Sequence, residues 1–228
     1  MTRSKPISIL IPDATDSPIL FRGLLNSLSL IKDINIYAIS STKTPIFKYS
    51  RHIKRYFIYL EKNNTNGWLS KIQNIAAKYN IDLVVPIEEK SIEIFLEHKH
   101  LFSTKSVKMV DLPPLQSFQI ARSKSKLANF MNENNLSCAK NIVIKSGVPY
   151  NSQAINYPVL AKPVQGFSGG DGILKFQDHQ SLEAFFNKNN KDYEYLIEEF
   201  IEGRELTVTV IDNECFPPIE IITKNEFY

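Results

Sequence analysis

Four of the chain's eight glycines fall within seven residues: Gly166, Gly169, Gly170 and Gly172. They lie in YPVLAKPVQGFSGGDGI, residues 157–173, which reads as a strand, a glycine-rich loop and a second strand. Lys162 stands on the first strand, just before the loop. Glycines let a backbone reach positive φ and approach an anion closely, and a lysine adds a point charge. The stretch therefore suits a polyphosphate. It equally suits a flexible hairpin tip with a surface lysine, and alone it does not choose between them.

The rest of the chain narrows the class. With 228 residues it can form one large domain or two small ones with real cores. Its 43% hydrophobic and 22% charged content is ordinary for a globular protein. The net charge is only +3 and the basic residues are scattered, so there is no electrostatic case for a nucleic-acid partner. Cys138 and Cys215 lie far apart without metal spacing, and a reduced, cytoplasmic protein is the expectation. No apolar run is long enough for a signal peptide or a membrane span, so no membrane partner is expected.

In order, ISILI (7–11) reads as a buried strand. Ser17-Pro18 starts a helix through ILFRGLLNSLSLI, and NIYAIS (35–40) is the next strand. This is the opening of a wound β-α-β sheet. The turn after the first strand is PDATDSP, without glycine, which argues against a dinucleotide-binding Rossmann domain. Residues 42–55 read as loop with a short helix, YFIYL (56–60) as a strand, 63–67 as a turn and 68–79 as a helix. DLVVP (82–86) reads as a central strand, followed by a helix opened by Glu88 and Glu89. Those two carboxylates suit a helix N-terminus and also a ligand edge, with the structural role favoured. VKMV (107–110) is the last strand of this half.

After Leu112-Pro113-Pro114, helices are expected over 115–121 and 123–135, the second with Leu127, Phe130 and Met131 on one face and Asn135 in place of a terminal glycine. KNIVIK (140–145), the hairpin, a helix over 181–187 and YLIEEF (195–200) follow. RELTVTVI (204–211) alternates as a half-buried strand, and CFPPIEIIT (215–223) reads as another after a turn at Asp212-Asn213.

Taken together, ARSKSKLANFMNENNLSCAK, YPVLAKPVQGFSGGDGI, YLIEEFIEGRELTVTVI and FPPIEIITKNEFY resemble the ATP-grasp superfamily, in the family's order. The resemblance covers roughly residues 113–228. One of these stretches would carry little weight; four in order with compatible spacing carry much more. IDLVVPIEEKSIEIFLEH, residues 81–98, looks like the carbamoyl-phosphate synthase large-subunit-like branch, and the last stretch like the strand of D-alanine–D-alanine ligases that runs into "FYDYxAKY". The implied fold is α/β: a Rossmann-like pre-ATP-grasp wound parallel sheet, then an α+β ATP-grasp lid and an incomplete catalytic sheet. The implied domains are 1–112 (pre-ATP-grasp), 113–136 (linker helices), 137–200 (lid) and 201–228 (start of the catalytic subdomain).

The resemblance implies ATP as the nucleotide. Lys162 would contact the α- and β-phosphates, and Lys124 would approach from the helix side, with Lys126 as its competitor. Gly166, Ser168, Gly169 and Gly170 would close over the phosphates, while Asp171 would point away. The Glu199 carbonyl would accept from the adenine amine, the N–H of Ile201 after Phe200 would donate to a ring nitrogen, and Glu198 would lie near the amine. Glu205 would take the ribose hydroxyls. The implied reaction is ligation of a carboxylate to an amine or thiol through an acyl-phosphate, with small-molecule carboxylate and amine substrates. The family's magnesium ligands, acidic residues and an asparagine, lie beyond the point matching Tyr228. Mg2+ is therefore expected only in a longer enzyme. The chain is expected to be a fragment, inactive alone and weak in MgATP binding. The alternative is a non-catalytic ATP-binding or regulatory module without a metal site. A homodimer is neither required nor excluded by the sequence.

Overall fold

The strand β1 (Ile7–Ile11) is buried at four consecutive residues. A strand that is apolar on both sides must be covered on both faces, as in a parallel sheet flanked by helices. The computed structural model places β1 in that position. It describes residues 5–61, 63–102, 108–146, 148–151, 154–164, 172–188 and 194–222. These fall into two units, Met1–Phe118 and Gln119–Tyr228.

In the first unit β1 pairs in parallel with β2 (Ile34–Ser40) and β4 (Leu83–Val84), and the outer strands are β3 (Ile53–Ile58) and β5 (Lys108–Met109). The order is β3-β2-β1-β4-β5, a wound sheet with β1 at its centre. Ile9, Ile11, Ile36 and Ala38 pack with Phe21 and Leu25 of helix α1 (Pro18–Leu28). On the other face Leu10, Tyr37, Ile39 and Val84 pack with Leu69, Ile72 and Ile75 of α2 (Thr65–Tyr79) and Phe95 of α3 (Glu89–Glu97). Alternate residues of one strand thus feed two cores, which covers both faces of β1 from Ser8 to Ile11.

Three of the boundaries that differ from the sequence reading have a visible cause. β3 begins at Ile53, inside a stretch read as loop because Lys54 and Arg55 are charged. As the edge strand it tolerates them: Lys54 donates to Asn35 Oδ1 at 3.1 Å, and the Arg55 guanidinium lies 5.2 Å from the Tyr79 ring centroid. Helix α2 begins at Thr65, because Asn64 accepts from the Gly67 N–H at 2.9 Å and caps it. β4 shrinks to two residues, since the Asp82 side chain takes the Ser8 N–H at 2.8 Å and Pro86 has no N–H to give.

The second unit holds a four-stranded antiparallel sheet, β6 (Asn141–Lys145), β9 (Glu194–Glu199), β7 (Val159–Pro163) and β8 (Leu174–Phe176), in that spatial order. One face is closed by α6 (His179–Lys188), whose Leu182 and Phe186 pack with Ile144, Val159, Ala161, Phe176 and Ile197. That helix starts two residues earlier than read, because Asp178 accepts from the Ser181 N–H at 2.8 Å. On the opposite face Ala128 of α5 (Lys124–Glu133) packs with Val164 and Leu196. The face expected for this helix is corrected: small Ala128 is buried, while Leu127 and Phe130 are exposed. The preceding helix, α4 (Leu115–Ala121), runs across the boundary between the units.

Beyond β9 the expected long strands are broken. RELTVTVI divides into β10 (Glu205–Thr207) and β11 (Val210–Ile211), and the next stretch into β12 (Glu214–Cys215) and β13 (Ile219–Ile221). Asp212 and Asn213 both take left-handed φ, 51° and 66°, which makes the tight turn of the β11–β12 hairpin. Pro217 and Pro218 interrupt the last stretch because they cannot donate to a ladder. The half-burial expected for 204–211 is not found, and every described residue from Ile201 to Ile222 is exposed. β10–β13 and β11–β12 are separate two-stranded ribbons, which cannot bury a face by themselves.

Candidate functional site

Antiparallel pairing puts Lys162 opposite Leu196 and Glu198 opposite Leu160. Side chains two apart on a strand share a face, so Leu160, Lys162, Leu196 and Glu198 all project from the side that meets α5. There the Lys162 ammonium donates to Glu198 Oε1 in an ion pair. Both side chains keep about a fifth of their surface open, at 23% and 20%. The ammonium is therefore held in place but still reachable by a ligand.

The other expected residues are placed as follows. Gly166, Ser168, Gly169 and Gly170, with Asp171, lie outside the described residues. Gly172, two residues before β8, has φ 76°, the left-handed region that glycine favours. Lys124 is the first residue of α5 and half-buried, immediately after the N-cap Ser123; Lys126 is exposed. The Glu199 side chain turns to the opposite face and accepts from the Asn156 N–H at 3.1 Å. The Phe200 N–H donates to the Pro158 carbonyl at 2.9 Å, continuing the strand past β9. Ile201 is 70% exposed. Glu205 opens β10 opposite Ile221, in the open. Arg204 reaches Glu220 at 3.8 Å on the surface. The structure thus joins Lys162 and Glu198 directly and sets Phe200 and Ile201 at the end of the same strand.

Two features were not found from the sequence. The Lys175 ammonium sits 3.6 Å from the centroid of the Phe200 ring, on the same face as Lys162. In the first unit, Asp13 follows β1 and is 2% exposed. Its carboxylate accepts from the N–H groups of Ile87 at 2.9 Å and Glu88 at 2.8 Å. Burial pushes its pKa up from 3.8 to about 6, against the opposing pull of those hydrogen bonds and of Ser91. No local pattern marks either contact.

Beside Asp13 a cavity of about 330 Å³ opens at the carboxyl ends of β1 and β2. Asp16, Glu88 and Lys90 supply charge, and Tyr59, Trp68 and Ile94 supply apolar wall. Glu88 is also the N-cap of α3, and Glu89 stands in its first turn. Glu88 thus stands at the helix start, where its side chain makes no capping hydrogen bond, and also lines the cavity.

Comparison with known proteins places this geometry. Residues 130–228 match the family model described as the D-ala D-ala ligase C-terminus. D-alanine–D-alanine ligase B of Clostridium perfringens is 30% identical over 115 residues, 49% of this chain and 38% of that protein. The D-alanine–D-alanine ligase of Halalkalibacterium halodurans is 31% identical over 122 residues, 50% and 40% of the two chains. The matched stretch thus spans well under half the length of these relatives. The crystal structure of D-alanine–D-alanine ligase from Bacillus anthracis, complexed with ATP, superposes with a TM-score of 0.64 at 16% identity, over 98% of this chain and 68% of that one. An ADP complex of N5-carboxyaminoimidazole ribonucleotide synthetase gives 0.66 at 17% identity, over 99% and 57%.

The family match thus lies in residues 130–228, and the fold of the chain is that of these ligase and synthetase structures. The family model begins inside α5 and takes in the Lys162–Glu198 face. The first unit lies outside the family model. Among the described residues no three or more His, Cys, Asp or Glu side chains gather as a metal site. No described helix is long and apolar enough to cross a membrane. Cys138 and Cys215 are both free and exposed.

Proposed function

We propose that the chain is the nucleotide-binding part of an ATP-dependent carboxylate–amine ligase. The observation that carries the reading is the Lys162–Glu198 pair, held on one face of a sheet whose β7 leads into the glycine-rich stretch. A lysine pinned by a neighbouring carboxylate is already oriented when an anion arrives. It can then pass from Glu198 to the phosphates with little side-chain ordering left to do. Lys124 adds a second cation, from the N-terminus of the helix that covers this face.

The glycine-rich residues, Gly166, Ser168, Gly169 and Gly170, offer backbone N–H groups to the phosphates and exclude water. The Glu199 carbonyl and the Ile201 N–H read the adenine, Glu198 stands near its amine, and Glu205 accepts from the ribose. These residues bind and orient ATP for attack of a substrate carboxylate on the γ-phosphorus. That step expels ADP, and an amine then attacks the acyl carbon of the acyl-phosphate and displaces inorganic phosphate to form the amide. The described residues do not supply a Mg2+ site, and no step here is routed through the metal. The cavity by Trp68, Tyr59, Asp16, Glu88 and Lys90 has the size and mixed lining of a site for a small substrate with both apolar and charged parts.

The test is a titration of the chain with ATP, followed by NMR so that millimolar affinity is visible. Binding that weakens at least about tenfold in Lys162→Ala supports the reading. Binding of equal strength in that variant would place the phosphates elsewhere.

A further inference from the structure

Two lysines share one face of the four-stranded sheet, and they have different partners. Lys162 is paired with Glu198. Lys175 stands opposite Leu160, so it projects from that same face on the edge strand β8. Its ammonium does not share the carboxylate. It lies over the Phe200 ring, 3.6 Å from the centroid, two strands away. To reach it the lysine stem must cross β7 at the level of Leu160 and Pro158, which suits a long apolar stem with a charged tip.

Phe200 is the last half-buried residue before the exposed stretch from Ile201 to Ile222. Its backbone is tied to Pro158 by the 2.9 Å hydrogen bond, and its ring is tied to Lys175. Both attachments come from neighbouring strands of the sheet. A ring held by the ammonium keeps one χ1 rotamer, and because rotamer and backbone φ/ψ are coupled this narrows the backbone conformations open to Phe200.

We propose that Lys175 is a positioning residue for the base. Its ammonium clamps the Phe200 ring and so fixes the Glu199–Ile201 backbone, where adenine is told apart from other purines. This rests on the nucleotide reading above and adds to it a residue that does not itself touch the phosphates. Selectivity by a backbone carbonyl and N–H depends on their angle as well as their distance, so a loosened hinge loses discrimination before it loses affinity for the phosphates.

The experiment compares ATP, inosine triphosphate and inorganic tripolyphosphate, titrated by NMR into the intact chain and into Lys175→Met, Lys175→Arg and Lys162→Met. Hypoxanthine carries an oxygen where adenine carries the amine, so the ratio of ATP to inosine triphosphate affinity reads the hinge. In Lys175→Met that ratio falls about three- to tenfold, while tripolyphosphate affinity stays within about twofold. Lys175→Arg, which keeps a cation over the ring, retains the ratio. An unchanged ratio in Lys175→Met would overturn the proposal, and so would parallel loss of ATP and tripolyphosphate, which would make Lys175 a phosphate ligand. Should Lys175→Met fail to fold, Phe200→Leu removes the ring without touching the lysine, and an unchanged ratio there overturns the proposal equally. Failure of the nucleotide reading looks different: the parent chain binds neither ATP nor tripolyphosphate, or Lys162→Met binds both as the parent does. Either result takes this proposal with it.

Discussion

Lys162 on β7 and Glu198 on β9 are diagonal neighbours across one strand pair, each two residues from the other's direct partner. The pair is partly open, and partly open ion pairs contribute only about 0–1 kcal/mol to stability. Lys162→Ala should therefore change the unfolding free energy by no more than about 1 kcal/mol while weakening ATP at least about tenfold. Urea denaturation and an ATP titration of the same variant check the two halves. A large loss of stability would mean that the lysine is mainly structural.

On the nucleotide reading, Glu198 competes with phosphate for the Lys162 ammonium. Glu198→Gln removes that competitor, and tripolyphosphate affinity should rise a few-fold, by about 0.5–1 kcal/mol. ATP should gain less, because the carboxylate near the adenine amine is lost as well. A titration in which tripolyphosphate weakens would show that Glu198 holds Lys162 in position more than it competes with the ligand.

Asp13 makes the first unit pH-sensitive. Its carboxyl titrates at about 6 in the folded chain and at 3.8 unfolded, so the folded state holds the proton more tightly. Stability from this group is then fully present below about pH 4, falls as pH rises to about 6 and stays level above. The span is about 3 kcal/mol. Asp13→Asn should flatten that step in denaturation curves recorded between pH 4 and pH 7, at the cost of an acceptor for the Ile87 and Glu88 N–H groups. A step of the same size in the variant would assign it to another group.

Asn135 ends α5 in the left-handed region at φ 55°. The Leu136 N–H donates to the Met131 carbonyl at 2.8 Å, and the Asn135 N–H to Asn132 at 3.2 Å, the paired bonds of a Schellman end. Asn135→Val should cost about 1–2 kcal/mol, and Asn135→Gly should be neutral or slightly stabilising. Thermal unfolding of the two variants separates them. Equal melting temperatures would mean that the helix end frays without consequence.

Glu205 is exposed at the head of β10, where the nucleotide reading needs it for the ribose. Glu205→Ala should lower ATP affinity about threefold or more, and the loss should vanish with 2′,3′-dideoxy-ATP. An equal loss with both nucleotides would remove Glu205 from the ribose.

Elements with a complete local signal were legible in the chain. ISILI and its Pro12 stop marked β1, Ser17-Pro18 marked the start of α1, and Asn135 marked the end of α5 before any coordinates. Elements whose signal is divided with a neighbour were misplaced. Lys54 and Arg55 looked like loop because the Tyr79 ring and the Asn35 side chain that accommodate them are distant in sequence. RELTVTVI looked like one half-buried strand because alternation reports a preference for burial, not the presence of something to bury against.

At the candidate site the same division holds. Lys162, the glycine-rich stretch and the EEFIEGRE segment stood out in the chain, because a phosphate cradle or a hinge would need particular residue types at short spacing. Which carboxylate holds Lys162, that Lys175 crosses a strand to Phe200, and that Asp13 is buried under Ile87 and Glu88 depended on tertiary structure. The residues in these contacts are 25 to 75 positions apart. Sheet register and strand order bring them together, and no local pattern records either.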